Sequence, residues 1–153
     1  MPTIQETIYN DMKEAFKSKK EPYLSTLRLL KSEIQYELTK SGAKELSDPI
    51  MIQLLKKNLS QRKESASEYK RAGREDLASK EQEEATIIEM YLPNEVAIET
   101  IDAAIQDAIK TLSAVGPSDT GKVMGKVMQN FKGQNIDGSK VSEAVKKALQ
   151  ALG

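Results

Sequence analysis

The chain has 153 residues, with 23 lysines plus arginines balanced by 23 aspartates plus glutamates, and it contains neither cysteine nor histidine. Disulfides, thiolate chemistry, zinc sites and Ser-His triads are thereby excluded, and a zero net charge removes the simplest argument for a nucleic-acid or membrane partner. With no apolar run near the roughly 18 residues of a membrane span and no apolar leader in the first twenty, the expectation is a soluble, cytoplasmic protein with no membrane partner, no metal and no cofactor.

The elements read as helices throughout. Thr3 followed by Glu6 has the spacing of a capping box, and Ile4, Ile8, Met12 and Phe16 fall four apart on a helix ending near Lys19. Pro22 suits the first turn of a second helix, whose apolar line of Leu24, Leu27, Leu30, Ile34 and Leu38 ends at Gly42. Ser47-Asp48-Pro49 starts a third, with Ile52, Leu55, Leu59, Ala66 and Tyr69 on one stripe and a stop at Gly73. A fourth runs from about Asp76 to Tyr91, where Pro93 ends it.

Past that proline, long charged side chains thin out and alanine and glycine become common, so the sequence predicts a domain boundary between residues 1–93 and 94–153. Ile101, Ile105, Ile109 and Leu112 make a fifth helix ending at Gly116-Pro117. Val123, Met124, Val127, Met128 and Phe131 make a sixth, ending at Gly133, and Val141, Val145, Leu149 and Leu152 a seventh. The predicted fold is all-α: an N-terminal helical hairpin assembly of about four helices, then a C-terminal three-helix bundle.

Local charge says more than the total. Lys56 to Arg74 holds seven basic and two acidic residues, whereas Glu75 to Glu95 holds seven acidic and one basic. Two successive helices of opposite charge suit antiparallel packing with their charges facing. Arg62 falls within the apolar stripe of its helix and Glu84, with Glu81 at the margin, on that of the next. A structural pair of Arg62 with Glu81 or Glu84 follows, because an unpaired buried ion costs several kcal/mol; Lys31 is a candidate to join it. The five tyrosines read mostly as partly buried core.

The segment Gly116-Pro-Ser-Asp-Thr-Gly121-Lys122-Val123 has the spacing of a phosphate-cradling loop, but Val123 stands where Ser or Thr should hold magnesium and a helix precedes it where a strand is required. More telling, Gly121 and Gly125 sit in an amphipathic helix, where each costs roughly 1 kcal/mol relative to alanine. Two readings fit, and both can hold: the glycines admit another helix closely, or they leave backbone bare beside Lys122 and Lys126 for a phosphate backbone. From Pro117 onward six lysines face three acids, a weak nucleic-acid signal. Asp119 is a candidate cap of the sixth helix, and Asp137 or Ser139 of the seventh.

Gln61-Arg62-Lys63-Glu64-Ser65 with Tyr69, Ala72-Gly73-Arg74-Glu75-Asp76-Leu77 with Lys80-Glu81, Tyr91-Leu92-Pro93, and Gly121-Lys122-Val123-Met124-Gly125 with Val127-Met128 together resemble the YqeY family, over essentially the whole chain. That family is similar to the tail of the B subunit of the tRNA-dependent amidotransferase, which converts Glu-tRNA(Gln) or Asp-tRNA(Asn) to the amide. The resemblance implies a tRNA-binding or tRNA-enzyme accessory protein associated with a glutamine-dependent carbon-nitrogen ligase. No counterpart of the amidase Ser-Ser-Lys machinery is found, so no residue is given a catalytic role. Gly121, Lys122, Gly125 and Lys126 match the tail's glycine-lysine motif and are the implied RNA contacts; Lys132 and Lys140 join them on charge alone. The alternative is a helical protein-protein interaction adaptor whose front helices dock a partner without nucleic acid.

Overall fold

Thr3 and Glu6 close a reciprocal capping box: the Thr3 hydroxyl accepts from the Glu6 N–H, and the Glu6 carboxylate accepts from the Thr3 N–H. This satisfies two otherwise orphaned donors and starts α1, Ile4–Ser18. In the computed structural model, which describes residues 1–152, it is followed by α2 (Tyr23–Ser41), α3 (Asp48–Arg71), α4 (Glu75–Glu89), α5 (Ile98–Leu112), α6 (Thr120–Asn130) and α7 (Gly138–Gln150), with a 3₁₀ turn at Pro117–Asp119. The described residues contain no strand.

Two compact units result, Met1–Leu92 and a second from Pro93 onward. In the first, α1 packs on α2 and α3, while α4 packs most extensively on α3 and also on α2. Ile8, Leu27, Leu30, Ile34, Met51, Leu55 and Ile88 are fully buried at its centre. In the second, α5, α6 and α7 pack pairwise around Ile101, Ile105, Val123, Val127, Val141, Val145 and Leu149. Each such side chain contributes about 1.5–3 kcal/mol by leaving water, so either unit has a core of its own.

Several apolar positions differ from the periodicity. Phe16 is 61% exposed and Ala15 is buried in its place. A spacing of four drifts on a 3.6-residue helix: Phe16 lies about 80° from the buried Ile8, Ala15 only about 20°. Leu112 and Leu152 are exposed, one at the end of α5 and the other beyond α7. The fourth helix stops at Glu89, earlier than Pro93 alone would dictate, because Met90, Tyr91 and Leu92 donate to Ile87, Ile88 and Glu89 in tight three-residue turns. Asn58, the acceptor position of a glycosylation sequon, is buried and donates its amide to Glu33 and to the Leu54 carbonyl at 2.9 Å. Among the described residues no helix is long and apolar enough to cross a membrane.

Candidate nucleic-acid interface

The start of α6 is built by the turn before it. Pro117 fixes the 3₁₀ turn, the Thr120 hydroxyl donates to the Pro117 carbonyl at 2.6 Å, and Asp119 occupies the N-cap position. The Asp119 carboxylate does not cap α6, however: it accepts the N–H of Val115 at 2.9 Å and so closes the loop leaving α5. Asp137 does cap α7, accepting from the N–H of Ser139 at 2.9 Å and of Lys140 at 3.4 Å.

The surroundings of the two helical glycines bear on the close-packing reading. Both are exposed, and a Cβ built on either would meet nothing within 4 Å. No neighbouring helix of the bundle uses the space, so close helix packing does not account for them. The opposite face of α6 holds Val123 and Val127 in the core. Lys122 is exposed, Lys126 is partly buried, and α6 carries no acidic residue. The result is a helix face with bare backbone and two ammonium groups one turn apart.

Lys132 and Lys140 contribute differently. Lys132 lies exposed past the end of α6. Lys140 opens α7 and binds Glu95 at 2.9 Å, and that hydrogen bond raises its pKa first, with the Glu95 charge adding to it. Its ammonium is thus already partnered, which weakens its candidacy as a phosphate contact.

The front unit uses its opposed charges internally. The Arg62 guanidinium donates to Glu81 at 3.2 Å and to Glu84, and Lys63 pairs with Glu89 at 3.3 Å across the antiparallel α3–α4 seam. Glu84 is the one buried charged residue among the described residues, and the Arg62 Nε is buried without a hydrogen-bond partner. Lys31 does not join this cluster; its ammonium stands 5.8 Å over the Tyr9 ring.

One polar cluster escaped sequence reasoning. The Tyr91 hydroxyl lies 2.7 Å and the Tyr23 hydroxyl 3.3 Å from the same Asp11 carboxylate oxygen, and the two phenol oxygens are also in hydrogen-bond contact, so two hydroxyl protons are shared among three contacts. Burial first, then hydrogen bonding with Tyr23 and Asp11, drives the Tyr91 pKa far above the ordinary tyrosine value. The available signal was Asp11, three residues after the buried Ile8 and so on the inner side of α1. Among the described residues no group of three or more acidic side chains is placed to hold a metal ion.

The family model for Yqey-like proteins matches residues 5–149. The chain belongs to the Yqey-like family. It is 31% identical, over 92% of its length and 78% of the relative's, to a Pyrenophora tritici-repentis protein named altered inheritance of mitochondria protein 41, mitochondrial. An uncharacterised Schizosaccharomyces pombe protein is 32% identical over 61% of this chain and 75% of its own. A Saccharomyces cerevisiae protein bearing the same mitochondrial name is 28% identical over 76% of this Yqey-like chain and 66% of its own. These names contradict the cytoplasmic location expected from composition, since the relatives are named as mitochondrial proteins. The physical reason for the error is plain: a cysteine-free, charge-balanced helical protein suits any water-filled reducing interior, so composition does not select one compartment.

Proposed function

We propose that this Yqey-like chain is an RNA-binding accessory protein that contacts the phosphate backbone of tRNA, or of a tRNA bound to its modifying enzyme, through the Gly121–Lys126 face of α6. The carrying observation is the pair of helical glycines facing open space. A glycine in a helix costs stability, and here no packing requirement offsets it. Bare backbone beside Lys122 and Lys126 lets phosphate oxygens approach both the helix and the ammonium groups, which is how backbone-binding proteins take position without reading bases. The similarity of this motif to the tail of the amidotransferase B subunit supports tRNA as the RNA, and the absence of its catalytic machinery supports an auxiliary role. The names of the matched relatives support mitochondria as the compartment for this work.

The test is tRNA binding at low salt by the full chain and by Lys122→Glu with Lys126→Glu. A loss of about tenfold or more in the double variant, with an unchanged circular dichroism spectrum, is expected. Undetectable binding by the unaltered chain, or equal affinity of both proteins, would contradict the proposal and favour the protein-adaptor alternative.

A further inference from the structure

Between α1 and α2 lies a cleft of about 590 Å³ that takes no part in the α3–α4 ion cluster or the α6 face. Its size falls within the range of small-molecule sites. The apolar lining is small: Met12, Leu24 and Phe16, the last with its ring largely exposed. The polar lining is cationic, with Lys13, Lys17, Arg28 and Lys31 against only Asp11 and Glu14. Lys17 is taken up by Glu14 at 3.6 Å, and Asp11 is bound by the hydroxyls of Tyr23 and Tyr91.

Arg28 and Lys31 are held differently. The Arg28 guanidinium lies 5.7 Å from the centre of the Phe16 ring and Lys31 lies over Tyr9, so both are oriented by aromatic faces and neither has a carboxylate partner among the described residues. A cation held by a ring keeps its N–H donors available to an anion, as one locked in an ion pair does not. The cleft therefore combines an exposed aromatic platform, two oriented cations and an excess of positive charge. Three apolar side chains are too few to seat an amphipathic helix as its main anchor, but they cover one flat ring.

We propose that this cleft binds a nucleoside phosphate, with the base against Phe16, Met12 and Leu24 and the phosphate at Arg28 and Lys31. The amide of Asn10, exposed on the cleft wall, offers a donor and an acceptor to the edge of the base.

Titration calorimetry on the full chain with AMP, adenosine and inorganic phosphate tests this. AMP should bind saturably, with adenosine and phosphate each at least about tenfold weaker, because each lacks half of the recognised chemistry. Phe16→Ala and Arg28→Gln should each weaken AMP by about tenfold while leaving the thermal midpoint unchanged, since both side chains are exposed. A short oligoribonucleotide separates a strand end, which would bind more tightly than AMP, from a free nucleotide, which would bind better alone. Lys122→Glu with Lys126→Glu should leave AMP affinity intact, so failure of the α6 reading and failure of this one are distinguishable. The absence of saturable AMP binding up to about 5 mM, phosphate as tight as AMP, or AMP affinity unaltered in both cleft variants would overturn the proposal.

Discussion

Arg62 and Glu84 are charges placed where the helical wheel puts apolar side chains, and that displacement made them readable. Because Glu84 is buried and Arg62 nearly so, removing one partner strands the other. Arg62→Ala should therefore lower the unfolding free energy of the front unit by about 3 kcal/mol in urea titration, whereas replacing Arg62 and Glu84 together by methionine should restore most of the loss. The Tyr23–Tyr91–Asp11 cluster was not readable in the same way. Tyrosine at helical spacing looks like ordinary core, and only the fold brings residues 11, 23 and 91 together. It has a consequence at high pH. Tyr91 is held protonated in the fold with its pKa raised by burial, so its contribution is fully present below the unfolded value of about 10. Above that pH the unfolded chain gives up the proton and the folded one does not, and stability falls. Urea midpoints compared at pH 8 and pH 11 should drop less in Tyr91→Phe than in the unaltered chain; an equal drop would remove Tyr91 from the account.

At the level of the element, helix existence was legible and helix faces only partly so. Caps and stops carried their own chemistry: Thr3 and Glu6 at the start of α1, and Gly42 with its positive φ at the end of α2. Phe16 and Asp119 were misjudged for separate reasons. Periodicity drifts along α1, and a cap-type side chain can turn back to an earlier backbone N–H, as Asp119 does to Val115. The glycines of α6 raised a question in the sequence that it could not answer, since the neighbouring space is a tertiary property. Their exposure leads to an opposed pair of effects. Gly125→Ala, within α6 and without a clash, should stabilise the second unit by about 1 kcal/mol and raise its thermal midpoint by about 4–8 °C. The same substitution should weaken RNA binding, because the methyl group covers backbone. Greater stability with unchanged RNA affinity would leave the glycines without the role assigned to them.

For the whole molecule, the contacts divide into Met1–Leu92 and a second unit from Pro93 onward. Each core closes within its own unit, so a chain ending at Pro93 should retain the helical signal and cooperative unfolding of α1–α4 while losing RNA binding. Retention of RNA binding by that fragment would move the interface off α6. Compartment was the property least accessible from the chain, because composition constrains solvent and redox state without naming an organelle.

The most direct measurement of the central claim is the salt dependence of tRNA affinity, with the full chain compared to Lys122→Gln plus Lys126→Gln. Backbone contact predicts a log-log slope that is steep for the unaltered chain and shallower by about 2 in the double variant, about one phosphate contact per lysine. Equal slopes for the two proteins would contradict RNA contact through α6.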